Sequence, residues 1–396
     1  MLYLLFVRMK RNNRMENKNS ISKLLPVLFA FFVMGLADLV GIATNYVKQD
    51  FGLSDSLANL LPFSLFLWFG LLSVPVGMLT TKLGRKNTVL MSILISIIGL
   101  GVSFVSQQFV TMLIAFALIG IGNTIIQVAL NPLMTNVVSN DRLTSSLTLG
   151  QFIKALAAFS GPLLAGMSST MLGNWRYTFL IFGCISILSA IWLALTPIAK
   201  EEKSNTGEVS IKSSFVLLRD NSILLFFLAI VFVVGVDVGL NTAIPKFIME
   251  RCSIPLEQAG LGTSLYFFAR TAGTLLGAIL LVKYSSRSFF LWGMMLAMAA
   301  LVGMLFSNQL WVILAMISIL GLSVANVFSI VFSAALKKMP NHTNEISGLM
   351  IMGVAGGAIF PIIMGLLSDS FGQTTGLAFL SIALCYLLFL SLKLEK

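Results

Sequence analysis

Charge is what this chain has least of. Only 10% of its 396 residues are Asp, Glu, Lys or Arg, 57% are hydrophobic, and the mean hydropathy is +0.95. A water-soluble fold would have almost no polar surface to cover it, so a soluble globular domain is excluded. The three cysteines, Cys184, Cys252 and Cys385, stand far apart, which rules out a disulfide framework or paired metal-ligand spacing. The single histidine, His342, lies between two apolar segments, so no metal or cofactor is expected. No nucleotide-binding loop is found, which argues against ATP-driven transport. A signal-peptide cleavage site is missing too: the short apolar start gives way to the basic stretch KRNNRMENKNS, and translation is expected to begin at Met9 or Met15.

What the chain does have is apolar runs of membrane-spanning length. They fall at 23–47, 57–82, 87–106, 109–138, 142–170, 174–196, 221–249, 256–283, 286–306, 308–338, 343–369 and 372–394, which predicts an all-α membrane protein with twelve transmembrane helices. The longest polar stretch between them, KEEKSNTGEVSIKSS, separates the sixth run from the seventh. The expected organisation is a tail at 1–22, a six-helix bundle at 23–196, a linker at 197–220 and a second six-helix bundle at 221–396.

The net charge of +11 does not gather on one soluble surface, so no nucleic-acid partner is expected. It sorts by side of the membrane. Twenty basic residues, among them Arg85, Lys86, Arg142, Lys200, Arg219, Lys337 and Lys338, fall on the side of the tail and linker. Only Lys48, Arg176, Lys246 and Arg251 fall on the other. This positive-inside pattern places both termini and the linker in the cytoplasm, and the expected location is a bacterial inner membrane.

The two halves also repeat one another at an offset of 199 or 200 residues: Gly35, Asp38 and Gly77 recur as Gly235, Asp237 and Gly277, and Gln127, Pro162 and Gly166 as Asn326, Pro361 and Gly365. Parallel repeats of this kind place a solute site between the halves, near the midplane.

Two acids, Asp38 and Asp237, and two bases, Lys154 and Arg270, fall deep inside predicted helices. A central charge costs roughly 2.5–3.5 kcal/mol on insertion scales, so each is expected to face protein or a wet cavity. Amides and other polar residues recur around them at helical spacing: Asn45 on the first helix, Asn123, Gln127 and Asn131 on the fourth, Gln151 on the fifth, Asn241 on the seventh, Tyr266 on the eighth and Asn326 on the tenth. As a set they suit a hydrated cavity, since amides donate to and accept from hydroxyls, and Trp68, Tyr266 and Phe268 offer aromatic faces to a sugar ring. The plainer alternatives are interhelical hydrogen bonds for the amides, packing for the aromatics, and two buried ion pairs, Asp38 with Lys154 and Asp237 with Arg270. On the functional reading, Asp38 and Asp237 carry a proton while Lys154 and Arg270 attract a negatively charged solute.

Three stretches, Phe328 to Asp369, Ala129 to Phe152 and Val234 to Asn241, resemble the fucose, galactose and hexose proton symporters of the major facilitator superfamily. The general motif of that superfamily is matched by GMLTTKLGRK, Gly77 to Lys86, with Thr81 where an Asp is common. The resemblance implies alternating access with a sugar bound between the halves and proton coupling. It also marks departures: Gln127 and Gly41 stand where the family carries acids, so Asp38 has to substitute, and Lys154 replaces an Asn of fucose transporters. The exchange at Lys154, together with Arg270, turns the expected cargo toward an acidic sugar, sialic acid or a hexuronate, ahead of a neutral hexose or fucose. The expected partners are the sugar, a proton or in its place sodium, and the lipid bilayer, with the protein working as a monomer. Two alternatives remain: an efflux antiporter for amphipathic compounds, and a membrane sensor, which the chain's lack of any sizeable soluble domain disfavours.

Overall fold

The structure is a computed structural model that describes residues 22–106, 108–138, 140–198, 215–281, 284–339 and 342–394. The expected tail ahead of Ser22, with Met9 and Met15, and positions 199–214 of the expected linker lie outside the described residues. Among the described residues there is helix and no strand. That is the outcome physics allows, because a helix satisfies its own backbone hydrogen bonds where no water is available to do so.

The first half consists of α1 (Ser22–Phe51), α2 (Leu60–Leu83), α3 (Arg85–Val102), α4 (Phe109–Met134), α5 (Asn140–Leu172) and α6 (Tyr177–Leu195). The second consists of α7 (Asn221–Cys252), α8 (Leu256–Leu280), α9 (Ser286–Phe306), α10 (Leu310–Lys338), α11 (Glu345–Phe371) and α12 (Gln373–Lys393). Among the described residues, eleven helices are both long and apolar enough to cross a membrane. The remaining helix, α8, has the length, 25 residues, but dilutes its apolar residues with Glu257, Gln258, Thr263, Arg270 and Thr271.

Helix ends are set by local chemistry. Asp220 caps α7 by accepting the N–H groups of Ser222 and Ile223 at 2.9 and 3.1 Å, the usual remedy for unpaired donors in a first turn. Between α2 and α3, Gly84 adopts φ of 84°, a value that disfavours any residue with a Cβ. The turn delivers Arg85 and Lys86 of the GMLTTKLGRK motif to two helix ends. Arg85 donates to the carbonyl of Pro132 at 3.0 Å and to Asn136 Oδ1 at 2.7 Å, and Lys86 donates to the carbonyls of Ala194 and Thr196 at 2.9 and 2.8 Å. Cations placed there offset the negative ends of α4 and α6.

The two halves repeat their packing. In each, the second helix lies against the fourth, the third against the fourth and sixth, and the first against the fifth, and the corresponding pairs return among α7 to α12. Small residues permit the close crossings. Gly35 meets the α5 backbone at Lys154 and Gly235 meets Phe360 of α11; Gly120 meets the α2 backbone at Leu65 and Gly321 the α8 backbone at Tyr266. The halves meet through α2 with α11, α5 with α8 and α1 with α7.

Among the described residues four helices are interrupted within their length; one is α12, at Phe379. The stretch Gly35–Leu39 of α1 is a 3-10 turn containing Asp38, Gly353–Ala355 of α11 is another, and α10 is interrupted between Val324 and Val327.

Candidate functional site

One end of the seam between the halves is closed by charge. Asp55, just ahead of α2, has its Oδ1 2.8 Å from Lys48 Nζ of α1 and 2.8 Å from Lys246 Nζ of α7, and its Oδ2 accepts from Gln373 at the start of α12. Asp369, near the end of α11, accepts the backbone N–H groups of Asp55 and Ser56 at 2.6 and 2.8 Å. The cluster ties α1 and α2 to α7, α11 and α12 at the face where α1 ends and α2 begins. Gly365 lets α11 approach the backbone at Asp55 and Ser56, and its repeat partner Gly166 on α5 sits 3.4 Å from the Glu257 carbonyl at the start of α8, as measured from the place a Cβ would take. There Glu257 accepts from Ser169 at 3.0 Å.

The four cations assigned to this face are all engaged. Lys48 and Lys246 hold Asp55; Arg176 lies 3.3 Å from Asp50, which also accepts from Trp175 at 3.0 Å; Arg251 donates to Asn308 at 2.6 Å and Thr374 at 2.8 Å. The sequence pattern assigns these cations only a side of the membrane and singles out neither Asp55 nor Asp369. A signal was present, because Lys48 and Lys246 recur at an offset of 198, one short of the repeat.

Below the charged layer, amides continue the closure. Asn45 of α1 donates to the Thr242 carbonyl of α7 at 3.1 Å, and Asn241 of α7 donates to the Asp38 carbonyl of α1 at 2.9 Å. A Cβ at Gly41 would collide with the Asn241 side chain. The Asn241 amide therefore leaves no room for a side chain at position 41. Asp38 itself lies 13 residues before the end of α1, about 20 Å along the helix.

At that depth the four intramembrane charges converge from α1, α5, α7 and α8. Asp237 is held on both oxygens: Tyr266 donates to Oδ1 at 2.6 Å and Arg270 Nη1 lies 3.0 Å from Oδ2. Arg270 keeps 33% of its side chain exposed and Asp237 16%. The other ion pair weighed above, Asp38 with Lys154, does not form. Among the described residues, neither Asp38 nor Lys154 has an oppositely charged group within 4.0 Å, though Lys154, Asp237 and Arg270 are the charges that surround Asp38.

The polar residues divide by role. Asn45, Asn123, Asn241 and Asn326 are buried, and each donates to a backbone carbonyl of another helix, Asn123 to Met34 at 2.7 Å and Asn326 to Gly273 at 2.8 Å. That geometry is the interhelical bond. Gln127, partly exposed, donates to Asn123 Oδ1 at 2.8 Å, and Asn131 reaches the Gln127 carbonyl at 3.5 Å while its own Oδ1 has no partner among the described residues. Lys154 is partly exposed and Gln151 exposed. The aromatics separate as well. The Tyr266 ring is wholly buried, Phe268 is 59% exposed and packs on Phe159 at 6.0 Å, and the Trp68 indole N–H has no partner among the described residues.

The seam is thus closed at one end and lined by charge at its centre, in a chain of twelve paired helices. The profile of the Major Facilitator Superfamily matches residues 27–350 and 225–395. Relatives run the length of the chain. The "Glucose/galactose transporter" of Brucella abortus biovar 1 (strain 9-941) is 25% identical over 95% of this chain and 95% of the relative. The "Probable sugar efflux transporter" of Helicobacter pylori (strain G27) is 23% identical over 96% and 97%. Among solved structures, the E. coli fucose:proton symporter FucP aligns with a TM-score of 0.69 at 18% identity, covering 96% of this chain and 100% of that one. A bacterial homolog of the human lysosomal transporter Spinster, inward-facing and occupied, aligns at 0.74 and 18% over 95% and 96%. Those two likenesses concern the fold alone. With the profile spanning both halves, the chain belongs to the Major Facilitator Superfamily and is a multi-pass membrane transporter, not an enzyme.

Proposed function

We propose that this transporter imports a monosaccharide together with a proton, by alternating access, across a bacterial inner membrane with both termini in the cytoplasm. The observation that carries the reading is the set of four charges at the seam, Asp38, Lys154, Asp237 and Arg270, lying beneath a closed outer face. On this reading the charged cluster around Asp55 closes the side of the seam that faces outside. Asp38 and Asp237 are the candidate proton carriers. Gln127, Asn131, Gln151, Lys154 and Arg270 are the candidate sugar contacts, because they keep exposure or unpartnered atoms at the depth of the charges.

An acidic sugar, sialic acid or a hexuronate, is favoured by Lys154, whose ammonium has no carboxylate within 4.0 Å among the described residues. A neutral hexose is the second reading. It is supported by the relative named a glucose/galactose transporter and by Asp237, which already neutralises Arg270. Competition for uptake separates the two. In cells expressing the protein, D-glucuronate or N-acetylneuraminate should displace a labelled sugar better than D-glucose or L-fucose, and Lys154→Asn should remove that preference. A wild-type preference for neutral sugars that survives Lys154→Asn would reject the acidic cargo.

A further inference from the structure

At the face opposite the Asp55 cluster, a recess of about 520 Å³ opens where α1 begins and α6 ends. Its walls are Ser22 and Lys23 of α1, Trp192 and Leu195 of α6, and Thr196 and Pro197 just beyond; they carry no acid. Trp192 is held on one side, tilted against Phe29 of α1 with ring centroids 5.8 Å apart, and is open on the other. Lys23 is partly buried and, among the described residues, has no carboxylate within 4.0 Å. The carbonyl end of a helix ordinarily repels an anion. Here Lys86 donates to the carbonyls of Ala194 and Thr196 at 2.9 and 2.8 Å and offsets that field. Along the flank of α6, Leu188, Ile191, Trp192 and Leu195 follow at i, i+3, i+4 and i+7, and all four are exposed. One apolar stripe thus runs up the outside of the bundle into a recess that is positive at its mouth.

We propose that this recess binds the headgroup of an anionic phospholipid, with Lys23 on the phosphate and the stripe of Leu188, Ile191 and Leu195 under the acyl chains. A phosphodiester accepts hydrogen bonds and donates none, so an ammonium free of any carboxylate suits it. A Trp with one face packed and one edge open belongs where apolar and wet surroundings meet, which is the level of the glycerol backbone. Basic pockets between membrane helices recur as headgroup sites for the same reasons. Two other occupants fit less well. A zwitterionic headgroup would bring its own ammonium towards Lys23 and Lys86, and a free phosphate would gain nothing from the apolar stripe. The site lies away from the seam, so the inference holds whichever solute is carried.

The test is lipid binding to the purified full-length protein in detergent, resolved as discrete adducts by native mass spectrometry. The probes are palmitoyl-oleoyl phosphatidylglycerol, palmitoyl-oleoyl phosphatidylcholine and free glycerol 3-phosphate. Wild type should bind phosphatidylglycerol about fivefold more tightly than phosphatidylcholine, the effect of one lysine at a membrane surface, and should not retain glycerol 3-phosphate over the same range. Lys23→Gln should remove the preference, whereas Lys337→Gln, at an exposed cation on the same face at the end of α10, should keep it. Should Lys23→Gln fail to fold, Leu195→Glu decides, since it sets a carboxylate on an exposed wall and should remove the preference in the same way. A wild type without the preference, or a preference that survives Lys23→Gln or Leu195→Glu, overturns the site. So does a preference lost equally in Lys337→Gln, which would mark a diffuse surface charge, or glycerol 3-phosphate bound as tightly as the lipid.

Discussion

Asp38 and Asp237 hold equivalent places in the repeat and live in different company. Asp237 is fixed by Tyr266 at 2.6 Å and Arg270 at 3.0 Å, whereas Asp38 has no cation within 4.0 Å among the described residues. Protonating Asp237 would cost two partners an acceptor; protonating Asp38 costs none. Asp38→Asn is therefore expected to abolish accumulation against a gradient while exchange of labelled for unlabelled sugar continues. Asp237→Asn should lower both. Equal loss of both activities in Asp38→Asn would remove it from proton coupling. Gly41 and Asn241 make a second residue-scale pair. Gly41→Val should cost about 1–3 kcal/mol through overpacking, read as a lower thermal unfolding temperature in detergent, and an unchanged temperature would mean that Asn241 yields freely. At this scale the four charges were legible in the sequence, because an ion among apolar spans is too costly to be incidental. The use of the amides was not. Asn45, Asn241 and Asn326 spend their donors on backbone carbonyls, and a helical stripe of amides reads the same whether it faces a neighbouring helix or a solute.

Among elements, the seal at the ends of α1, α2, α7 and α11 decides which face of the seam is closed. One carboxylate serves cations from both halves, since Lys48 and Lys246 both lie 2.8 Å from Asp55 Oδ1. Asp55→Asn leaves the shape and removes the charge that holds them. The population with the outer face open should grow by at least about tenfold, in line with the loss of two charge-assisted contacts of about 1.5–3 kcal/mol each. The measurement is alkylation, by a membrane-impermeant maleimide added outside, of a cysteine introduced at Thr242 in a background where Cys184, Cys252 and Cys385 are replaced by serine. Faster labelling in Asp55→Asn is the expected result, and equal labelling would show that the cluster does not hold this face. Spans were readable from hydropathy to within a few residues, as α9 at Ser286–Phe306 illustrates. The interruptions were not. The break at Asn326 depends on Gly273 and Gly277 of another helix, and the turn at Gly35–Leu39 on close approach to α5, so neither is written in local composition.

For the whole molecule, two repeated bundles sharing one seam explain why intramembrane charge is tolerated: every such group lies near the junction and none needs to meet lipid. Duplication was visible in the recurrence of Gly35, Asp38, Pro162 and Gly166, and the packing follows it, with Gly166 and Gly365 at corresponding crossings of the halves. The direction in which the seam is closed required coordinates, because the residues that close it come from distant segments such as Asp55 and Asp369. The central claim is that a proton gradient drives sugar inward through this seam, and sugar accumulation in right-side-out vesicles under an imposed inside-alkaline gradient tests it most directly. The account predicts internal sugar rising above the external concentration and falling back when a protonophore is added. Accumulation that ignores the protonophore, or net extrusion of preloaded sugar under the same gradient, would contradict it.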